Sequence, residues 1–235
     1  DNQEMLFAFS IRAYSDCVLY GGTYDAIIDE DELNEVNIAI STTTFRKEEY
    51  IKTNVEMIKN ELISDPYMGE HWFMHVVDNG RTLEREEIES KHIFYHPNKN
   101  VGGAGGFARG MIEVLDQKEP ITHILLMDDD VLIYAEALKR TYYLLHMIKE
   151  KYKEYVISGA MLNLEEMNLF WEDTAYISGG VNRATKEPRD MRKIKNLLLN
   201  ENIIGNFKDA YAAWWYCCIP VDKVKENGLD RKSVV

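Results

Sequence analysis

The segment ILLMDDD, Ile124 to Asp130, runs four apolar residues directly into three consecutive carboxylates. A short apolar run bounded by charge reads as a buried strand. Carboxylates this close disfavour one another's ionised forms. A strand that ends this way either meets something positive or sends its three side chains apart into water.

Working outward, strands and helices alternate. VNIAIS (36–41) reads as a strand ending in TTTF. The next segment puts Ile51, Val55, Ile58 and Leu62 on one helical stripe. HWFMHVVDNG and HIFYH read as strands, and Phe107, Met111, Val114 and Leu115 lie at helical spacing. After the DDD strand come a long helix (AEALKRTYYLLHMIKEKY) and strands at YVISGAML, NLFWEDTAYISGG and YAAWWYCCIP. This alternation predicts βαβ units and a mainly parallel α/β sheet. Ligands in such sheets gather at the carboxyl ends of strands. TTTF, DNG, NKNVGGAGG and DDD all follow strands, so they are expected on one edge. The stretch from Val181 to Asp209 is polar and weakly patterned, and reads as a long insertion. No helix is expected after the last strand. Ahead of the alternation, Phe7, Phe9, Ile11 and Ala13 share one face of an expected strand. CVLYGG (17–22) suggests a second, and DAIIDEDELNE is an acidic connector.

The chain has 235 residues, 46% hydrophobic, and a net charge of −13. That length supports one sizeable core. Its acidity excludes a sequence-independent nucleic-acid binder, which needs a basic footprint. Three cysteines without a CxxC pair give no disulfide framework and favour a reducing, cytoplasmic compartment. No signal peptide or spanning run is read in the sequence.

Four groups of residues carry chemistry. Asp128 and Asp130 would face one ligand if the backbone stayed extended, and carboxylate oxygens suit Mg²⁺ or Mn²⁺. A solvated acidic turn explains the same residues. Second, NVGGAGGFAR (100–109) holds four glycines in five positions, followed by a helix whose N–H groups suit an anion, with Arg109 as a cation one turn in. Gly103-x-Gly105-x-x-Ala108 mimics a dinucleotide fingerprint, but HPNKN separates it from its strand. Close packing is the plainer reading. Third, Thr44-Phe45 and Asp78 stand at strand ends where a base or ribose would be met; both are also ordinary loop starts. Fourth, Trp214 and Trp215 on a strand would face opposite ways, as a sugar platform or as core. Cys217 and Cys218 read as small buried hydrophobes, and His71, His75, His92 and His96 as structural.

Taken in order, NIAISTTTFRK, NKNVGGAGGFARGMIEVL, HILLMDDDV, SGAMLNLEE and WWYCCIP resemble a GT-A fold, family 2 glycosyltransferase. More narrowly they resemble the galactofuranosyltransferases that extend galactan from UDP-galactofuranose. The match spans about residues 37 to 220. The opening strands resemble the end of a β-sandwich that precedes the catalytic domain in those enzymes. The domains implied are 1–34, remnant strands and linker, and 35–235, a C-terminally incomplete GT-A domain.

The resemblance implies a UDP-sugar donor, a glycan or lipid-linked glycan acceptor and Mn²⁺ or Mg²⁺. Thr44, Phe45, Arg46 and Lys47 would hold the uracil end, with Asp78 and Asn79 by the nucleoside. Asn100, Gly102 and Gly103 would lie under the nucleotide. Asp128 and Asp129 would sit on the donor side, Asp128 and Asp130 at the metal, and Trp214 and Trp215 at the sugar and acceptor. It implies work at the inner face of a membrane and leaves homo-oligomers open. The family's general base lies after WW-x-C and would fall beyond Val235, so these residues alone are expected to be inactive. Two alternatives remain: a dinucleotide-binding oxidoreductase, and a non-catalytic carbohydrate-binding piece.

Overall fold

The computed structural model describes residues 10–23, 25, 27–201 and 210–229. The chain divides into two compact units, Asp1–Glu32 and Leu33–Val235. In the first, the described residues are exposed and carry only a 3₁₀ turn at Glu30–Glu32. Cys17–Gly22 is therefore not the expected strand. It has no partner strand among the described residues, and its backbone groups are left to water. Of the other expected strand, residues 7–9 lie outside the described residues, and 10–13 are irregular.

The second unit is α/β. Its sheet has the order β3-β2-β1-β4-β12-β5. The strands are β1 (Ile38–Thr44), β2 (Trp72–Asp78), β3 (Ile93–Pro97), β4 (His123–Asp128), β5 (Ile157–Ser158) and β12 (Cys217–Pro220). The first four are mutually parallel, and β12 runs antiparallel between β4 and β5. Alternate side chains of these strands feed two apolar layers, as the period of two requires. Ile38, Ile40, Trp72, Met74, Leu125 and Met127 meet α1 (Glu48–Ile58) and α4 (Ala135–Met147). Ala39, Phe73, Ile124 and Leu126 meet α3 (Gly102–Asp116) and α6 (Val221–Asn227). The stripe read on α1 is buried throughout, and α1 runs on through a π turn at Lys59–Ile63. A four-residue helix, α2 (Arg85–Ile88), precedes β3.

Several elements differ from the sequence reading. The Val181–Asp209 insertion is structured where it is described. β9 (Val181–Ala184) forms a hairpin with β8 (Thr174–Ser178) across Gly179 and Gly180, both at positive φ. β10 (Arg189–Asp190) pairs with β7 (Leu169–Glu172), and α5 (Ile194–Glu201) follows. YVISGAML splits into β5 and β6 (Met161–Leu162) at Gly159, where a Cβ would lie 2.5 Å from the Tyr216 ring. YAAWWYCCIP splits into β11 (Ala210–Ala212) and β12, leaving Trp214 and Trp215 in a turn. α6 follows β12, a segment to which the sequence reading gives no element; it buries Val221 and Val224. Among the described residues no helix is long and apolar enough to cross a membrane.

Helix α3 begins at Gly102, five residues before the periodic stripe at Phe107. Two of its glycines are packing residues. A Cβ on Gly106 would lie 2.2 Å from Thr43 Cγ2 and 3.0 Å from Thr43 Cβ, and one on Gly110 would lie 2.1 Å from Ser41 Oγ. A Cβ on Gly103 would meet nothing within 4 Å. Gly106→Ala is thus expected to destabilise by about 1–3 kcal/mol through overpacking. Gly103→Ala is expected to be neutral or stabilising by about 0.5–1 kcal/mol. Urea denaturation of the two variants checks the contrast.

Candidate functional site

All four parallel strands end on one edge. Their final residues are in register: Thr44 beside Asp78, Asp78 beside Pro97, and Thr43 beside Asp128. The sheet order reverses between β1 and β4, the switch point at which open α/β sheets bind ligands. A cavity of about 350 Å³ opens there. Of the expected residues, Thr44, Phe45, Lys47, Asn79, Asn100, Gly102, Gly103, Asp128 and Asp129 border it. Thr43 and Phe107 join them; the sequence pattern assigned Phe107 to the core.

Each wall has a local cause. Asn79 ties three elements together. Its N–H donates to Thr44 O (2.9 Å), its amide nitrogen to Gly102 O (3.1 Å), and its amide oxygen accepts from Asn98 (2.8 Å). Asn100 Oδ1 accepts the Gly102 N–H (3.1 Å), and Gly102 holds φ +77°, which glycine adopts without steric cost. Open space stands over Gly102 and Gly103. The hydroxyls of Thr43 and Thr44 are buried without a hydrogen-bond partner. Unpaired buried hydroxyls carry a desolvation cost.

Other expected residues do not border the cavity. Asp78 is fully buried, and its oxygens accept five hydrogen bonds: the N–H groups of Gly80, Arg81, Thr82 and Leu83, and the Tyr95 hydroxyl. A carboxylate has about four lone-pair sites, so Asp78 shapes the loop and has no capacity left for a nucleoside. Arg46 holds φ 58° and sets its guanidinium 5.2 Å from the Phe45 ring centre. Arg109 pairs with Glu113. Because α3 starts at Gly102, Arg109 lies two turns in, about 10 Å along the axis, not one. Trp214 packs edge-on to Phe107 (5.2 Å) behind the cavity wall.

A second cavity, about 500 Å³, shares Asp128 with the first and adds Asp130 and Trp215. Its wall is largely apolar, with Ile133, Tyr134, Met161, Leu162 and Met167. Several of its polar groups are already engaged. Thr141 bonds the Tyr216 hydroxyl (2.5 Å), Ser158 donates to Asp173 O (2.5 Å), and Trp215 Nε1 donates to Gly159 O (2.9 Å). Asp128 and Asp130 are the carboxylates facing it.

Beyond Asp128 the backbone turns, so the extended geometry expected for Asp-x-Asp is not what brings Asp128 and Asp130 to one cavity. Asn54 of α1 holds the turn by donating to the carbonyls of Asp129 (3.1 Å) and Val131 (3.2 Å). Lys47 bonds Asp130 and lies 3.6 Å from Asp129. Burial first, then Asp130 and Asp129, pushes the Asp128 carboxyl up; Lys47 opposes this. Among the described residues no three of His, Cys, Asp and Glu form a closed metal cage. Two carboxylates at an open cavity do suit Mg²⁺ or Mn²⁺, which bind one or two protein carboxylates together with substrate phosphates.

Two further titratable groups, His75 and Cys217, are buried in the sheet. His75 stacks on His96 and bonds Gln117 (2.7 Å), and burial lowers it to about 4. Burial pushes the Cys217 thiol up to about 12, as expected of an inert core cysteine.

No protein-family model matches the chain. Over 213 residues it is 24% identical to the galactofuranosyltransferase GlfT2 of Mycobacterium tuberculosis, covering 82% of this chain and 32% of that protein. Over 146 residues it is 27% identical to GlfT2 of Mycolicibacterium smegmatis, covering 57% of this chain and 21% of that protein. The chain is similar to glycosyltransferases. It spans between about a fifth and a third of the length of these curated relatives. Among solved structures, S. aureus TarS residues 1–349 aligns with a TM-score of 0.46 at 16% identity, over 82% of this chain and 49% of that one. The same protein with UDP-GlcNAc gives a TM-score of 0.45 at 15% identity, over 82% and 47%.

The raised Asp128 carboxyl has a signed consequence. Its folded-state pKa lies above the unfolded value, so the ionised form costs stability above the carboxylate range, and the cost disappears as pH falls through it. Without ligand, Asp128→Asn is expected to raise the melting temperature at neutral pH. The gain should vanish in acid. Thermal melts at the two pH values check this.

Proposed function

We propose that this chain carries the donor-binding part of an inverting glycosyltransferase of GT-A, family 2 type, moving a sugar from a UDP-sugar to a glycan hydroxyl. The observation that carries the reading is the polar cavity at the β1–β4 switch point, joined through Asp128 to a second cavity walled by Trp215. The similarity to two galactofuranosyltransferases supports galactofuranose as the sugar; a glycan or lipid-linked glycan is the acceptor we propose. Work at the inner face of a membrane belongs to the same proposal.

In this reading the nucleoside and diphosphate lie in the first cavity. Thr43 and Thr44 line the cavity at the end of β1, and Gly102 and Gly103 let the donor approach the backbone closely. Phe45 offers a ring to the base and Lys47 a cation to the diphosphate. Asp128 and Asp130 would hold Mn²⁺ or Mg²⁺. When bound, that ion neutralises the diphosphate as it departs. The sugar would then project past Asp128 toward Trp215; there the acceptor hydroxyl would attack the anomeric carbon, the bond to UDP would break, and the hydroxyl proton would pass to a general base that is not among the residues named above. Trp215 supplies an apolar face against which a sugar ring stacks, and its N–H is kept from the ligand by Gly159 O.

A dinucleotide oxidoreductase fits less well. Its glycine turn must follow the first strand at the switch point. Here Phe45–Lys47 follows β1, while the glycines follow β3 after residues 98–101 and open a helix.

Calorimetric titration of UDP into the full chain tests the proposal. UDP is expected to bind with Mn²⁺ and to weaken at least about tenfold, or 1.4 kcal/mol, in EDTA or in Asp130→Ala. NAD is not expected to bind. UDP binding indifferent to both metal and mutation would contradict the assignment of the diphosphate site.

A further inference from the structure

The positive partner that three adjacent carboxylates require is built into the chain. Lys47 Nζ bonds Asp130 Oδ2 and lies near Asp129 Oδ1. Exposed ion pairs are often incidental, but this one is fixed by the fold. The Lys47 carbonyl accepts the first backbone bond of α1, from Ile51 (3.2 Å). Asn54 stands seven residues on, two turns along the same face, and grips the carbonyls of Asp129 and Val131 from a 4% exposed position. One helix therefore holds the aspartate turn and delivers the ammonium to it. The same Lys47 borders the cavity into which Thr44, 2% exposed and with its hydroxyl unpartnered, is set.

We infer that Lys47 is the resting counter-ion of Asp130, exchanged onto the donor diphosphate when donor and divalent cation arrive together. This rests on the nucleotide reading above and adds to it a residue that couples the two ligands. A cation alone must displace the ammonium from Asp130. A diphosphate alone meets a lysine already committed to the aspartates. When both bind, the ammonium gains phosphate oxygens and releases Asp130, so each ligand lowers the cost of binding the other, and by the same factor. A lysine suits this exchange, being a point charge on a flexible stem; a bidentate arginine would hold its carboxylate more firmly.

The test is Mn²⁺ binding to the full chain, read as loss of the free-ion electron paramagnetic resonance signal, first without nucleotide and then with UDP. Lys47→Met keeps the stem and removes the charge; Lys47→Arg keeps the charge. Lys47→Met is expected to bind Mn²⁺ alone at least about fivefold more tightly than the unsubstituted chain, with UDP then adding less. Lys47→Arg should bind Mn²⁺ alone no more tightly than the unsubstituted chain, and more weakly if the guanidinium holds Asp130 more firmly. A loss of packing at Lys47 would not strengthen nucleotide-free metal binding. If the unsubstituted chain binds Mn²⁺ and UDP but Lys47→Met leaves Mn²⁺ affinity unchanged or weaker, the exchange is overturned while the nucleotide site stands. If the unsubstituted chain binds no Mn²⁺ even with UDP, both fail.

Discussion

The parallel pairing of β1 with β4 is the constraint on which the site depends. Its register sets Thr43 beside Asp128 at the point where the sheet order reverses. No helix crosses that point, so the ends of the two strands face an open crevice. The surrounding parts serve this junction. Gly106 and Gly110 let α3 lie close on β1, which brings Gly102 and Gly103 to the rim. Asn79 laces the ends of β1 and β2 to the start of α3. Asn54 fixes α1 to the turn after β4. Backbone packing thus sets the shape of the cavity, and polar side chains such as Lys47, Asn100 and Asp128 line it.

Charge is managed around the same junction. Asp128 is half-buried with its carboxyl pushed up, while Asp129 and Asp130 share Lys47. The three carboxylates thus gather around one lysine at the end of a buried strand. Asp78 shows the opposite case: its carboxylate is spent on four backbone N–H groups and a tyrosine hydroxyl, and it stabilises a loop.

Much of the sheet was legible in the sequence because β1, β2, β4, α1 and α4 bury continuous or helical-period apolar sets. The convergence of four loops followed from parallel strands alone. What escaped had other causes. β9 is exposed along its whole length, so no alternation marks it; the Gly179-Gly180 pair was the available hairpin signal. The first turn of α3 was hidden because glycine disfavours helix, and only its packing on Thr43 and Ser41 accounts for it. The break at Gly159 depends on Tyr216, and the partner of Asp130 lies 83 residues away at Lys47. Contacts at that separation leave no local pattern.

The central account, that a metal–nucleotide site occupies the carboxyl edge at β1 and β4, is tested most directly by paramagnetic broadening. Backbone amide spectra of the full chain would be recorded with UDP and a small fraction of Mn²⁺. Signals of Thr44–Lys47, Gly102–Gly103 and Asp128–Asp130 should be lost. Those of Ile38 and Trp72, about 20 Å away at the amino ends of β1 and β2, should persist. Broadening spread over the acidic surface, or centred away from these three segments, would contradict it.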